Sequence, residues 1–535
     1  MNTMFQLPIQ YVDHSTLDTT VMQDLELIDV HGLEPICDKV FNPRTDESKR
    51  IARMRMQYYT THTTFLKESV ELFKTSLTSS PIDAFTTKWS AMKNNKEFRT
   101  TYHYIESKWL SNLNYSSMLL FFISVYFVSS PIVCVLTPLI MILVPFAILS
   151  HYGTPLTWTT YYEMFKKVAV YHSLGKLAFQ FGNATPDKKM YLIMGAAFFG
   201  LQVYANVYNF YTFYKNMTHT MVVLKDTEHF LKHTIASMRD MEEAVSSLST
   251  YTLFGKDVGI HRAKLEAFYK KISPVHFSLS NVGILRAHFY ELYDNPELNE
   301  SLHYAIDFHG YLQNHVHMHK QMKKKMKACT FGTKTVLKRA YYPISKPVKN
   351  SYDVKNMILT GPNASGKTTL IKSTMINVLL SQQMGCGFYR SATICPYDTF
   401  FSYINIPDTS GRDSLFQAEA RRCKDIIDHV SKNQRTLCIF DELFSGTNPK
   451  EATASTVSLL SYLSDFPSFT FLLTTHFTDV CEQAKVSLFR MKTDIHPLKY
   501  HYTMEKGISY VRGGAVVLEN MGFPETILKH SAMCG

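Results

Sequence analysis

At 535 residues the chain is long enough for two to four domains. Its net charge of +11 suits contact with nucleic acid or anionic lipid and does not choose between them. Nine scattered cysteines, with no C-x-x-C pair and no His/Cys ligand spacing, read as reduced thiols and exclude a zinc module.

The first 25 residues lack a basic start followed by an apolar run, so no signal peptide is expected. Residues 1–110 read as mixed and mostly helical, with Pro35 and Pro43 as breakers. Residues 111–215 read as a membrane region. Met118 to Ser150 is a run of 33 residues without a charged side chain, interrupted by Pro131, Pro138 and Pro145. About 20 apolar residues span a bilayer, so this run crosses once with a tilt or folds back at a proline. A second, less apolar span runs from Met190 to about Tyr211. Many of the local tyrosines lie near the segment ends, as interface aromatics do. Basic residues flank both sides, so the positive-inside rule gives no orientation. The simplest arrangement is a multi-pass, two-crossing hairpin with both termini on the cytosolic side.

Residues 216–335 show helical periodicity. The run Lys320 to Lys327 holds five lysines, which read either as a solvated helix face or as a binder of nucleic-acid phosphates or lipid headgroups. His315, His317 and His319 alternate and do not all share one helix face, so no metal site is read there.

The chemistry lies beyond residue 350. Gly361-Pro362-Asn363-Ala364-Ser365-Gly366-Lys367-Thr368, followed by Thr369, fits the phosphate-binding loop G-x-x-x-x-G-K-[ST]. An apolar strand from Val354 to Thr360 enters it, and a helical pattern from Leu370 to Met384 leaves it. Strand, loop and helix aim backbone N–H groups at a polyphosphate. Lys367 supplies a cation for the outer phosphates of ATP, and Thr368 a hydroxyl for Mg²⁺. Downstream, the apolar strand Leu437 to Phe440 ends in Asp441-Glu442. Asp441 suits Mg²⁺, and Glu442 suits general-base activation of the attacking water. A third strand, Phe471 to Thr475, ends at His476, placed to sense the γ-phosphate. Three apolar strands with polar C-terminal ends predict a parallel sheet with its ligand at that edge.

As a set, these motifs make residues 336–535 resemble the ATPase domain of the MutS mismatch-repair family. Asp441-Glu442-Leu443-Phe444-Ser445-Gly446-Thr447 is similar to the family's D-E-hydrophobic-x-x-G-T segment. Gly411 through Ser414 and Phe416 to Glu419 is similar to its G-x-S-x-F-x-x-E signature, with one residue more between glycine and serine. Leu518 to Pro524 resembles the end of the smaller MutS-like proteins. The resemblance implies an α/β P-loop ATPase domain of the ABC type, with a mostly parallel sheet flanked by helices. Ahead of it would lie an all-α lever region, here with transmembrane helices. It also implies a head-to-tail homodimer in which Ser414 reaches, in trans, the nucleotide held by the partner. DNA is the further partner it implies.

Two function classes follow. One is a MutS-like ATPase coupling nucleotide state to clamping on mismatched DNA, tethered to a membrane. The alternative is a membrane-anchored P-loop ATPase without DNA binding, acting in remodelling or signalling. Phe289-Tyr290-Glu291 matches the family's Phe-x-Glu mismatch wedge only by composition. A transporter is disfavoured because the L-S-G-G-Q signature is missing.

Overall fold

The computed structural model describes residues 5–28, 34–274, 278–344, 346–404, 415–430, 434–494, 499–511 and 521–524. The chain divides into two compact units, each discontinuous in sequence. One holds Met1–Ser80, Ala236–His261 and Tyr304–Gly535, the other Pro81–Ile235 and Arg262–His303. Divisions at 110, 215 and 335 do not coincide with these units, because residues 5–80 and 304–335 pack with the C-terminal sheet.

The second unit is helical. Met118 to Ser150 lies within one continuous 35-residue helix, Ser117–His151, rather than a hairpin broken at a proline. Ser116 caps it by accepting a hydrogen bond from the Leu119 N–H. At 1.5 Å per residue the helix is about 52 Å long, more than the roughly 30 Å hydrocarbon layer requires. The second apolar span sits within a 60-residue helix, Pro186–Val245. Both helices are long and apolar enough to cross a membrane. Only 11% and 6% of their most apolar windows are buried against the chain itself, so the fold leaves these surfaces uncovered.

The first turns of Ser117–His151 are the exception. Gly283, in the helix Val282–Asp294, comes so near that an added Cβ would lie 2.1 Å from the Ser117 carbonyl oxygen. Beside it the buried Arg286 donates to Ser124 Oγ and to the carbonyls of Leu120, Tyr102 and His103. Its guanidinium also lies over the rings of Tyr104 and Phe213. Burying a cation on carbonyls and rings is costly unless every N–H is satisfied, and this packing supplies the acceptors.

The first unit is built on a six-stranded sheet. Its spatial order is Thr399–Tyr403, Thr436–Asp441, Phe469–Thr475, Met357–Thr360, Ser487–Asp494 and Lys499–Lys506. The first five are parallel and the last is antiparallel. Side chains alternate between faces. Leu437, Ile439, Leu472, Met357 and Leu359 enter one core, while Cys438, Phe440, Phe471, Leu473 and Ile358 enter the other. Coverage of both faces explains why the strands read as unbroken apolar runs.

The stretch Val354 to Thr360 is two strands rather than one. Asn350–Val354 belongs to a separate four-stranded sheet, and Met357–Thr360 to the main sheet. Asn356 makes the break: its side chain accepts from the Phe471 N–H at 3.0 Å and its carbonyl from Ser487.

Candidate functional site

The loop 361–366 leaves the central strand Met357–Thr360 and enters the helix Lys367–Met384. Gly366 caps the helix at φ +91°, with no side chain serving its first N–H groups. A Cβ there would sit 3.1 Å from the Tyr502 ring. At Gly361 an added Cβ would meet Ser365 Oγ at 2.8 Å. Both glycines therefore keep open a cradle that a larger residue would fill. Ser365 Oγ is itself buried without a hydrogen-bond partner, as suits a group placed to meet a phosphate oxygen.

Lys367 is almost fully buried. Its ammonium donates to the carbonyls of Gly361 at 2.9 Å and Pro362 at 3.4 Å, and lies 3.6 Å from Glu442 Oε1. Thr368 Oγ1 donates to both oxygens of Asp441, at 2.8 and 3.0 Å, and Thr474 donates to the same carboxylate. A carboxylate and a hydroxyl in contact form an all-oxygen set of the kind a hard divalent cation takes.

Glu442 follows at φ +54°, a conformation uncommon for a side-chain-bearing residue. Its N–H is held by the Thr474 carbonyl at 3.1 Å. Its Oε1 lies 3.5 Å from His476 Nδ1. His476 first, and then Lys367, hold the Glu442 carboxyl below the usual glutamate range despite half-burial. The carboxylate thus remains ionised, as a base requires.

The turn after Glu442 is held by Glu419, which is buried. Glu419 accepts from Ser445 N–H at 3.1 Å, Ser445 Oγ at 3.0 Å and Gly446 N–H at 3.2 Å. Gly446 packs so tightly on Leu415 that a Cβ would lie 2.8 Å from it. Glu419→Ala should take a charged acceptor from three donors and cost about 3 kcal/mol in stability. Glu419→Gln should recover part of that loss. Chemical denaturation of the two variants measures it.

A cleft of about 470 Å³ opens over the loop. Pro362 through Thr369 and Glu442 line it, opposite Tyr341, Tyr342, Pro347, Val348 and Tyr502. The structure thus brings Lys367, Thr368, Asp441, Glu442 and His476 together at the C-terminal ends of adjacent strands. Ser414 and Gly411 to Asp413 lie outside the described residues, as do 512–520. The tyrosine wall escaped the sequence reading. Tyr341 and Tyr342 precede a proline-punctuated segment of no periodicity, and Tyr502 comes from the far strand. His315 and His319 contact the carbonyls of Thr75 and Phe73, and His317 contacts Gln321. Among the described residues no three His, Cys, Asp or Glu side chains gather as a metal site.

Residues 357–534 match the family model for MutS domain V. The endonuclease MutS2 of Thermus thermophilus is 28% identical over 211 residues, covering 38% of this chain and 28% of that protein. The endonuclease MutS2 of Leuconostoc mesenteroides is 26% identical over 208 residues, 36% of this chain and 25% of its own length. The DNA mismatch repair protein MutS of Bacteroides fragilis is 29% identical over 185 residues, 33% and 21% respectively. The match thus spans about a quarter of each relative.

Proposed function

Membership of the MutS family, which this chain holds through residues 357–534, is the premise from which we propose that it binds and hydrolyses ATP with Mg²⁺. The observation that carries this reading is the convergence of the buried Lys367, the Thr368–Asp441 pair and the ionised Glu442 at one glycine-lined cradle. ATP would lie with its phosphates on the loop amides and Lys367, and with its base against the tyrosine wall. Thr368 and Asp441 would hold the Mg²⁺, which supplies charge neutralisation at the phosphates when bound. Glu442 then takes the proton of the attacking water, while His476 and Lys367 keep it ionised. Lys367→Ala should lower nucleotide affinity at least 100-fold in equilibrium binding, because the outer phosphates lose their cation. Unchanged affinity would overturn the assignment.

The active unit in this proposal is a homodimer with composite sites. The reading is carried over from the family, and Ser414 is the residue it would place in trans. Homodimers of Lys367→Ala or of Ser414→Arg should each be inactive. In mixed dimers one composite site carries both lesions and its sister none, so mixing should restore about half of the activity per heterodimer. No recovery, with heterodimers shown to form, would count against it.

Coupling of nucleotide state to DNA binding is likewise proposed from the family. The endonuclease activity in two relatives' names is not carried over, since the match covers so little of those proteins. The uncovered apolar helices favour a membrane tether and keep a second reading open, a membrane-anchored ATPase without DNA binding. Duplex DNA titrated onto the detergent-solubilised protein, with and without ATP at several salt concentrations, separates the two. A nucleotide-dependent affinity with a steep salt slope supports the first, and no binding at low salt leaves the second.

A further inference from the structure

The lysine run 320–327 does not form one solvated helix face. The helix Pro296–Lys324 ends within it, and Lys327 enters a short strand paired with Cys386–Gly387. Three strand pairings then bring basic residues from distant segments to one place. Lys327 lies opposite Gly387. Lys338, next to Arg339, pairs with Ser391, next to Arg390. Ala340 pairs with Asn350, next to Lys349. The result is a second cleft, of about 270 Å³, lined by Lys324, Lys325, Lys327, Arg339, Lys349 and Arg390.

All six cations are exposed, and among the described residues none of them makes an ion pair. Among the described residues the other lining residues are Tyr341 and Tyr389, so no described acid lines this cleft. Glu34 and Asp38 line the larger cleft that adjoins it through Lys324, Lys325 and Tyr341. The frame is fixed. The Tyr341 hydroxyl donates to the Lys325 carbonyl at 3.0 Å, and Lys349 Nζ lies 5.3 Å above the Tyr341 ring. Arg390 N–H donates to the Lys338 carbonyl, and Arg339 N–H to Ser351 Oγ at 2.9 Å.

Six like charges held together by these strands, their flanking residues and the helix end repel one another, and a concave wall of low dielectric concentrates their field. Exposed lysines on a solvated face relieve that repulsion by spreading apart, whereas these converge. Two arginine forks among four ammonium groups suit phosphate oxygens, which accept bidentate and point-charge contacts together. The small volume favours several phosphates on one compact scaffold over a long strand, whose phosphates would need cations strung along a groove. We propose that this cleft binds a compact polyphosphorylated ligand, either free in solution or borne on a lipid headgroup.

The test uses full-length protein in detergent or nanodiscs, with a saturating non-hydrolysable ATP analogue so that the loop at 361–368 contributes no binding. Inositol hexakisphosphate is the soluble probe and inorganic phosphate its monovalent-site control. Lys327→Glu and Arg390→Glu should each weaken hexakisphosphate binding at least tenfold, and Lys485→Glu, an equal charge change elsewhere, less than twofold. Milder Lys327→Gln and Arg390→Gln variants should show the same order if the reversals disturb folding. Vesicles bearing phosphatidylinositol bisphosphate, compared with phosphatidylserine vesicles of equal charge, distinguish the headgroup source. Selective, cleft-dependent capture assigns a lipid, and its absence assigns the soluble ligand. The proposal is overturned if all three reversals weaken binding equally, if the probe does not bind, or if single-stranded DNA binds the cleft more tightly than the probe.

Discussion

Glu442→Gln should retain nucleotide affinity and lower the single-turnover rate of ATP hydrolysis about 1,000-fold, within the roughly 10²–10⁴ range that one general base contributes. Glutamine keeps the shape of the side chain, and the backbone at φ +54° is held independently by the Thr474 carbonyl. What disappears is the acceptor for the water's proton. Binding survives because Lys367 keeps its contacts to Gly361 and Pro362. The pH dependence has a definite sign. His476 and Lys367 depress the Glu442 pKa, so the carboxylate stays charged as pH falls through the ordinary glutamate value of about 4.3. The interactions that depress it stabilise the fold above that value and are lost as pH falls through the lower, folded one. The acid limb of hydrolysis due to this group should therefore lie below about pH 4.3 in the parent protein. It should move upward in His476→Ala, which removes the largest depressing contact. Wild-type turnover by Glu442→Gln would refute the role.

Much of this site was legible because each part has a local signature. The loop glycines, Lys367 and Thr368 are contiguous, and Asp441, Glu442 and His476 each terminate an apolar run. Less was legible where contacts are distant. The helix Lys367–Met384 carries Lys372, Asn377, Gln382 and Gln383, yet it is buried nearly all round. Lys372 and Gln383 are satisfied by the N-terminal segment: Lys372 pairs with Glu26 at 2.9 Å, and Gln383 donates to the Met56 carbonyl, whereas Asn377 donates to the Tyr341 carbonyl. Periodicity shows a helix there but not that residues 5–80 form its sheath. Glu419 was visible as a member of the signature, yet its work in holding the Ser445–Gly446 turn depends on folding. The lysine run 320–327 shows the same limit. Its charge is plain in the sequence, while its convergence with Arg339, Lys349 and Arg390 is set by strand register.

The other large effect expected concerns the membrane. Thirteen large apolar or aromatic side chains of Ser117–His151 are exposed, among them Ile132, Leu139, Ile140 and Leu143. Full burial of an exposed side chain is worth about 1.5–3 kcal/mol, and these are 36–69% exposed, so covering the remainder of the set is worth on the order of 10–20 kcal/mol. A domain's whole stability is only about 5–15 kcal/mol, so covering this surface with lipid or a second protein surface would be worth as much as the fold itself. The full-length chain should therefore remain in the membrane pellet after carbonate and after high salt, whereas a protein held by surface lysines would be released by salt. The structure also indicates where to cut. Phe127 and Phe213 stack at 5.5 Å, and residues up to Ser124 are tied to Arg286. Removing residues 129–211 and joining Val128 to Thr212 through a short glycine-serine linker keeps both contacts. That protein should be soluble without detergent and bind nucleotide as the parent does. Cutting back to residue 112 should instead strand Arg286 without Leu120 and Ser124 and yield aggregates. Recovery of the intact chain as a monodisperse species without detergent would show that a second protein surface, not lipid, covers these helices.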